Sequence, residues 1–430
     1  MSNEAEQMTK DKKQQTLVPK LRFPEFRDYQ AWTVDRLGNL FIERQETGNE
    51  ELPLLSLTDK EGLIPQKDSG RKDNSNVNKS KYLRVDVGDI AYNTMRMWEG
   101  RSALAKNEGL VSPAYTVCVP TDRVDSRFFS YYFKTGHLIR EFRRYSQGLV
   151  KDTLSLKYEV FSRIHVFFPG LREQQKIADC LGSLDDLIAA EGRKLAALRD
   201  HKKGLMQQLF PREGETRPRL RFPEFQDTPD WNMIPLAELL VRDPEYGVNA
   251  SAAPYSEDLP AYIRITDIDD DGRYLSEGRV SVDIEATEDE YLQEGDIVLA
   301  RTGASVGKSY RYRSEDGLLV FAGFLIRVRP KPTKLDSRFL AAYFSTGRYW
   351  DWVRITSARS GQPGINGSEY ASMPLPVPPD DDSKGEQSRI ANCLSALDDL
   401  IAAQVEKLDA LRTHKRGLMQ QLFPAPEGHQ

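Results

Sequence analysis

Thirty-nine consecutive residues of this chain occur twice. Glu173 through Pro211 return as Glu386 through Pro424 at a constant offset of 213, with 28 of the 39 positions identical. Both copies open on Glu-Gln-x-x-Ile and close on Gly-Leu-Met-Gln-Gln-Leu-Phe-Pro. A second echo stands ahead of each intervening stretch, Pro19-Lys-Leu-Arg-Phe-Pro-Glu-Phe26 and Pro218-Arg-Leu-Arg-Phe-Pro-Glu-Phe225, with Trp32 and Trp231 in matching places. A repeat of this length demands two equivalent structural units in one polypeptide.

The long repeat has helical periodicity. Ile177, Leu181, Leu184, Ile188, Leu195 and Leu198 fall on alternating three- and four-residue steps that continue through Leu205 and Leu209. Ile390, Leu394, Leu397, Ile401, Leu408 and Leu411 do the same, continuing through Leu418 and Leu422. Glu191 and Lys202 fill the gaps in the first stripe, Gln404 and Lys415 those in the second. A 3.5-residue apolar period sustained over about five heptads is a coiled-coil seam. Prolines bracket each run and none lies inside. The alternative is a single amphipathic helix packed on its own domain, but two matching stripes can satisfy each other. Connectivity sets their direction. A helix of about 37 residues is roughly 55 Å long at ~1.5 Å per residue. The second globular stretch begins just after the first helix ends, and the second helix begins where that stretch ends. Mutual packing therefore requires an antiparallel pair with a pseudo-twofold axis. Cys180 and Cys393 would then lie on the order of 30 Å apart, too far to pair.

The expected fold class is α+β, with two mixed α/β domains separated by a long intramolecular antiparallel coiled coil of pseudo-twofold symmetry. Residues 1–18 read as a flexible tail, 19–170 as the first domain and 171–211 as a central helix. Residues 212–379 read as the second domain, 380–424 as a C-terminal helix and 425–430 as a short tail. Strand-like runs occur at Leu52–Leu57, Tyr115–Val119 and Ile164–Phe168, with helical patterns near Ser126–Lys134 and Leu138–Tyr145. The second domain keeps landmarks of the first. Gly88-Asp-Ile90 matches Gly295-Asp-Ile297, Leu57-Thr-Asp59 matches Ile265-Thr-Asp267, and Asp125-Ser-Arg-Phe128 matches Asp336-Ser-Arg-Phe339. Between the landmarks the halves diverge, so one scaffold carries two sets of loops.

At 430 residues the chain is long enough for two to four domains. No apolar run is long enough to cross a bilayer, and the polar start has no secretory character. Three cysteines without CxxC spacing argue against a disulfide scaffold or zinc ribbon and for the cytoplasm. The net charge of −5 counts against nucleic acid until its distribution is considered. Residues 301–359 hold 12 basic against 4 acidic residues, 67–106 hold 9 against 5, and 134–163 hold 7 against 3. The excess recurs in corresponding parts of both halves.

Several near-motifs fail on geometry. Gly303-Ala-Ser-Val-Gly-Lys-Ser309 has three residues between its glycines where a phosphate loop needs four, and reads as a turn after the strand Asp296–Ala300. Asp267-Ile-Asp-Asp-Asp-Gly272 begins like a calcium loop, but Gly278 stands where the bidentate Glu belongs. Asp243-Pro-Glu-Tyr246 is read as a turn, and the five histidines make no metal-ligand spacing. No catalytic, cofactor or metal site survives.

What survives is recognition chemistry. Asn93, Arg96 and Arg101 lie in Tyr92-Asn-Thr-Met-Arg-Met-Trp-Glu-Gly-Arg101, just past a strand. Arg301, Lys308, Arg311 and Arg313 occupy the corresponding place in the other half. Arg143, Arg144 and Lys151, and on the other side Arg354 and Arg359, form further basic stretches. Guanidinium, amide and aromatic groups interleaved in this way suit phosphate neutralisation together with contacts to base edges. For any one of these residues a solvated surface side chain is the plainer reading.

With these motifs the chain resembles the specificity subunit of type I restriction-modification systems. The resemblance rests on Leu21-Arg-Phe-Pro-Glu-Phe26 and its copy, Tyr92–Trp98 leading to Val111-Ser-Pro-Ala-Tyr115, Arg301–Lys308, and the doubled helix with its doubled opening. It spans essentially residues 19–424. It implies two target-recognition domains, each reading half of a split, asymmetric double-stranded DNA site, with the helices fixing the gap and docking partners. It further implies two modification (methyltransferase) subunits that bind S-adenosylmethionine, and restriction subunits, ATP-dependent translocase-endonucleases that need Mg. The chain itself would then be non-catalytic and hold no cofactor. The competing readings are a coiled-coil adaptor that never touches DNA, and a self-contained nuclease or methyltransferase.

Overall fold

The computed structural model describes residues 17–48, 51–58, 62–70, 72, 73, 75, 78–269, 271–358, 362–379 and 383–425, apart from the side chains of Asp152, Ser383 and Lys384. Residues 1–16 and 426–430, which the sequence assigns to the tails, and Arg359 lie outside them. The chain forms two compact units, Met1–Glu191 with Lys407–Gln430, and Gly192–Glu406. Two long helices, Leu171–Leu209 and Ser383–Leu422, each contribute one stretch to each unit.

In the first unit the strands in chain order are β1 Thr33–Arg36, β2 Phe41–Glu43, β3 Leu55–Thr58, β4 Gly62–Pro65 and β5 Leu83–Val85. They continue as β6 Ile90–Asn93, β7 Ser102–Leu104, β8 Gly109–Val111, β9 Tyr115–Pro120 and β10 His165–Phe168. The main sheet runs β2-β9-β6-β7, antiparallel throughout, with the buried strand β6 inside it. Pairs β1-β10, β3-β4 and β5-β8 surround it. Helices α1 Ser126–Tyr132, α2 Gly136–Tyr145 and α3 Tyr158–Phe161 cover the sheet with a core of aromatic rings, among them Phe41, Tyr92, Phe128, Phe129, Phe133 and Phe161.

The second unit repeats this plan. Its strands are β11 Asn232–Pro235, β12 Glu245–Tyr246, β13 Ala252–Pro254, β14 Ala261–Ile263 and β15 Val280–Val282. Then follow β16 Ile297–Ala300, β17 Ser309–Arg311, β18 Leu319–Phe321, β19 Leu325–Val328 and β20 Pro374–Val377. The order β12-β19-β16-β17 reproduces the main sheet of the first unit, and β11-β20 reproduces β1-β10. Helices α4 Ser337–Tyr343, α5 Gly347–Thr356 and α6 Gly367–Ala371 follow in the same succession. Among the described residues the units differ most in the added sheet. Where the first has the ladders β3-β4 and β5-β8, linked by a parallel bridge between Leu54 and Leu110, the second has a four-stranded sheet β13-β15-β14-β18 whose β14-β18 pair is likewise parallel. Asp243-Pro-Glu-Tyr246, read from sequence as a turn, ends in strand β12, whose two residues pair with Ile326 and Arg327 on β19. The expectation failed because a two-residue strand has no periodicity to detect.

The sequence landmarks have physical causes. Asp89 and Asp296 each accept a backbone N–H from the residue three before, Asp86 and Gln293, closing the turn into the central strand. Each is buried and paired with an arginine, Arg44 at 2.8 Å and Arg329 at 2.7 Å. Burial nonetheless pushes the Asp89 carboxyl above its usual range. Asp125 and Asp336 cap α1 and α4, accepting from the N–H groups of Arg127 and Arg338.

The two repeated motifs lock onto each other. In the first unit Arg22, from the Leu-Arg-Phe-Pro-Glu-Phe segment, donates to both carboxylate oxygens of Glu173 at 2.9 and 2.7 Å. Its other donors reach the carbonyls of Tyr29 and Gln30. In the second unit Arg221 grips Glu386 through two 2.7 Å bonds and donates to the carbonyls of Thr228 and Pro229. The neighbouring glutamines act alike. Gln174 accepts the Asp125 N–H and donates to the carbonyls of Arg123 and Pro169; Gln387 accepts the Asp336 N–H and donates to that of Lys334. The repeated opening of each helix is thus a bracket that fastens it to its globular domain.

Within each unit the helix stretches run antiparallel. In the first, Ile177 and Leu181 share a core with Leu422 and Phe423, Lys415 bonds Asp185 at 2.5 Å, and Lys407 bonds Glu191. In the second, Ile390 and Leu394 pack with Met206, Leu209 and Phe210, and Lys202 bonds Asp398 at 2.6 Å. Lys202–Asp398 and Lys415–Asp185 are the same pair in the two repeats, so the polar seam positions hold one register twice. Leu408 in the first unit and Ile401 in the second are buried, whereas Leu184, Ile188, Leu195, Leu198, Leu397 and Leu411 are half-buried. A two-helix seam leaves an open side wherever no domain covers it. Cys180 and Cys393 are free thiols.

Arg22→Ala or Arg221→Ala strands a buried carboxylate and should destabilise its unit by about 3–5 kcal/mol, read by denaturant unfolding. Replacing both partners by apolar residues, Arg22→Met with Glu173→Leu, should recover most of that loss. Single variants as stable as the parent would show that the pair does not hold the bracket.

Candidate nucleic-acid interface

In the first unit the residues singled out from sequence gather around the turn that leaves β6. Asn93 ends that strand, and its side-chain oxygen accepts the Met95 N–H at 3.0 Å, bending the chain back. The chain then makes a single helical turn, Met97–Glu99, and exits through Gly100 in the left-handed region, φ 79°. Trp98 is buried beneath this turn with its indole N–H on the Met95 carbonyl, 2.9 Å. Lys151 lies 5.3 Å over the Trp98 ring, and the Leu156 N–H donates to the Thr94 carbonyl at 2.8 Å. The 147–156 loop therefore braces the turn from outside, while Ile139 of α2 abuts Gly100.

Asn93, Arg96 and Arg101 line one open cleft of about 360 Å³ together with Leu57 and Tyr115. A second cleft shares Leu57 and Arg101 and adds Thr58, Glu99 and Lys134. Arg96 is exposed and only loosely tied to Glu99, at 3.4 Å. Arg143 and Arg144 occupy the last turn of α2; Arg143 is exposed and Arg144 bonds Glu141 at 2.6 Å.

The corresponding turn of the second unit leaves β16. Here the Ile365 N–H donates to the Arg301 carbonyl at 2.8 Å, the counterpart of the Leu156–Thr94 bond. Gly303–Ser305 forms a single turn and strand β17 follows. A phosphate loop would be followed by a helix, so the segment is a connector, as the glycine spacing implies. Gly307, φ 87°, packs so closely on α5 that a Cβ there would sit 2.8 Å from both methyls of Val353. The Tyr349 hydroxyl donates to its carbonyl at 2.7 Å. Arg301 stacks 4.8 Å over Tyr246, which anchors it through a hydroxyl that accepts the Gly367 N–H. Lys308 lies between Gly307 and β17. Arg311 pairs with Glu294, Arg313 with Glu315 and Asp316, and Arg354 with Asp351. The Arg313–Glu315 and Arg354–Asp351 pairs are exposed and worth ~0–1 kcal/mol each, so a phosphate can displace those carboxylates at little cost.

The model of the type I restriction modification DNA specificity domain matches residues 29–200 and again 254–412. The chain belongs to the type I restriction-modification specificity family. It is therefore a DNA-sequence-recognition protein of such a system. The specificity subunit of the MjaVIII type I restriction enzyme of Methanocaldococcus jannaschii is 22% identical over 359 residues, covering 80% of this chain and 82% of its own. The putative MjaX specificity subunit of that organism is 21% identical over 374 residues, covering 80% and 79%. The type I S subunit from M. genitalium superimposes with a TM-score of 0.60 at 14% identity over 95% of this chain and all of its own. A chain from a study of type I complex assembly and conformational transition gives 0.55 at 15% identity, covering 91% and 97%. At these identities the solved structures speak for the fold.

Within this specificity-family chain, Asn93, Arg96, Arg101 and Lys151 converge on one turn. Arg301 and Lys308 bound the equivalent turn, with Arg311 on the adjoining strand and Arg313 just beyond it. Of the residues lining the clefts, Leu57, Thr58, Tyr115, Ser102, Lys134 and Ile139 were not singled out from sequence, nor was Tyr246 beneath Arg301. Leu57 and Tyr115 stood in quoted landmarks, but only tertiary packing turns them toward the turn that leaves β6. Among the described residues no group of three His, Cys, Asp or Glu side chains is placed to hold a metal ion, and no helix is long and apolar enough to cross a membrane.

Gly307→Ala should destabilise the second unit by about 1–3 kcal/mol, since it strains a left-handed backbone and collides with Val353. The same change should shift the Arg301–Lys308 turn and weaken DNA binding by the assembled protein. Unchanged thermal stability and affinity would contradict this packing.

Proposed function

We propose that this chain reads a split, asymmetric duplex site, one half through each unit, and that its paired helices set the spacing between the halves. The observation that carries the proposal is one turn built twice and dressed differently. Both units brace the segment after the central strand by the same backbone hydrogen bond and the same close-packed glycine. The first presents Asn93, Arg96, Arg101 and Lys151, the second Arg301, Lys308, Arg311 and Arg313. Equal scaffolds with unequal polar groups suit two half-sites of different sequence. Phosphate contacts are assigned to Arg143 and Arg144 in the first unit and to Arg354 in the second; Arg359 is assigned the same role.

On this reading two modification subunits dock along the helices, and restriction subunits join them. S-adenosylmethionine, ATP and Mg belong to those partners, and the chain acts by positioning rather than by chemistry. Three features support the assignment: family membership, the half-open seam at Leu184, Ile188, Leu195, Leu198, Leu397 and Leu411, and polar groups suited to binding DNA.

Two experiments test it. Sequencing methylated DNA from cells that express the chain with its modification subunits should reveal one bipartite motif. Arg143→Glu with Arg144→Glu, or Lys308→Glu with Arg354→Glu, should weaken binding of the assembled complex and make its salt dependence shallower by about 0.9 for each phosphate no longer neutralised. An unchanged slope, or a methylation pattern with no split motif, would refute the proposal. Inserting four residues, about one helical turn of ~3.6, into either long helix should change the tolerated gap between half-sites or abolish binding. An unaltered gap would remove the spacing role from the helices.

A further inference from the structure

In the first unit the loop between α2 and α3 ends in an aliphatic tip that contributes nothing to the core. Leu149 is 102% exposed and Val150 is 60% exposed. A lone surface leucine is ordinary, but here two adjacent aliphatic side chains share the tip of a braced loop. The loop is built to hold it there. Gln147 and Ser155 exchange backbone hydrogen bonds of 2.9 and 2.8 Å across its base. The Thr153 N–H and hydroxyl both donate to the Val150 carbonyl, at 2.9 and 3.0 Å. Gly148 lies at φ 152°, where a Cβ would stand 2.6 Å from the Thr153 carbonyl oxygen, so the approach to the tip admits no side chain.

The loop that bears the tip is fastened to the candidate interface. The Leu156 bond to Thr94 and the stacking of Lys151 on Trp98 tie this loop to the turn that carries Asn93 and Arg96. Arg143 and Arg144 precede it and Lys151 follows it in the chain. An apolar projection accompanied by cations matches a ligand with anionic groups outside and a stacked apolar interior. Duplex DNA is such a ligand, and apolar side chains that part a base step are a known way of kinking it.

We propose that Leu149, with Val150 beside it, is a wedge that enters the base stack of the half-site read by the first unit. It adds a reading of step flexibility to the polar contacts of Asn93, Arg96 and Arg101, because pyrimidine–purine steps open most easily. The inference rests on the DNA-reading proposal above. An anionic membrane surface has the same charge arrangement, but the attachment of the loop to the base-reading turn favours DNA.

The test uses the assembled complex on its own methylation motif, with 2-aminopurine walked through each half-site. Apart from the methylated bases, which the modification subunits themselves flip out, binding should raise the fluorescence at one step in one half-site severalfold. Leu149→Ala should abolish that rise while a footprint over the motif remains, and Leu149→Met should keep it. If the wild-type complex gives a footprint but no step outside the methylated bases responds, or if Leu149→Ala leaves that response intact, the wedge is wrong and the DNA reading stands. If the wild-type complex gives no footprint, the underlying reading fails and takes the wedge with it. Pelleting with vesicles of phosphatidylserine and phosphatidylcholine that is lost in Leu149→Ala, with the 2-aminopurine signal unaffected, would overturn the DNA assignment in favour of a membrane.

Discussion

A guanidinium held between a helix and the loop that precedes a domain organises each half of this protein. Arg22 reaches Glu173 across 151 residues of sequence, and Arg221 reaches Glu386 across 165. Both pairs are buried, two-pronged and completed by backbone carbonyls. Desolvation makes such a pair no stronger on balance than a well-packed apolar contact. What it supplies is direction, since a planar fork satisfies a carboxylate in few orientations. An apolar patch would let the helix slide or roll against its domain. The paired charges, with Gln174 and Gln387 beside them, leave one arrangement.

That fixed joint permits variation elsewhere. The two units share a main sheet of the same strand order and a turn after its central strand held by the same backbone bond. Because the brace is an N–H meeting a carbonyl, it constrains the path of the chain and leaves the side chains open. Asn93, Arg96 and Lys151 occupy it in one unit, Arg301 and Lys308 in the other. The added strands diverge further, with two short ladders in the first unit and a four-stranded sheet in the second. Rigidity near the helix and freedom at the reading surface are two consequences of one design.

Local periodicity carried most of what the sequence disclosed. The leucine stripes are legible because a heptad repeats within a few residues, and they gave the helices, while the order of segments along the chain gave their antiparallel direction. The duplicated Leu-Arg-Phe-Pro-Glu-Phe and Glu-Gln segments were visible as repeats, but their cause was not. An ion pair spanning 151 residues has no local signal. Strands of two or three residues, such as β12, lie below the reach of any alternation rule. Lys308 and Arg311 were found as basic residues near a turn, yet nothing in the chain foretold that Arg311 faces Glu294. The stacking of Lys151 on Trp98 and of Arg301 on Tyr246 was equally hidden, since each joins residues from separate loops.

The second unit is one unbroken run of chain, Gly192–Glu406, whereas the first is made from two pieces. Its later piece, within Lys407–Gln430, is structural. Phe423 stacks on Tyr132 at 5.2 Å and edges onto Trp32, and the Leu21 N–H donates to the Gln421 carbonyl. Contacts so far apart in sequence form late, because closing a long loop comes before any reward from it. On the ribosome the half translated first must wait, with its aromatic core partly uncovered, until more than two hundred further residues have emerged. The half translated later can close on its own residues meanwhile.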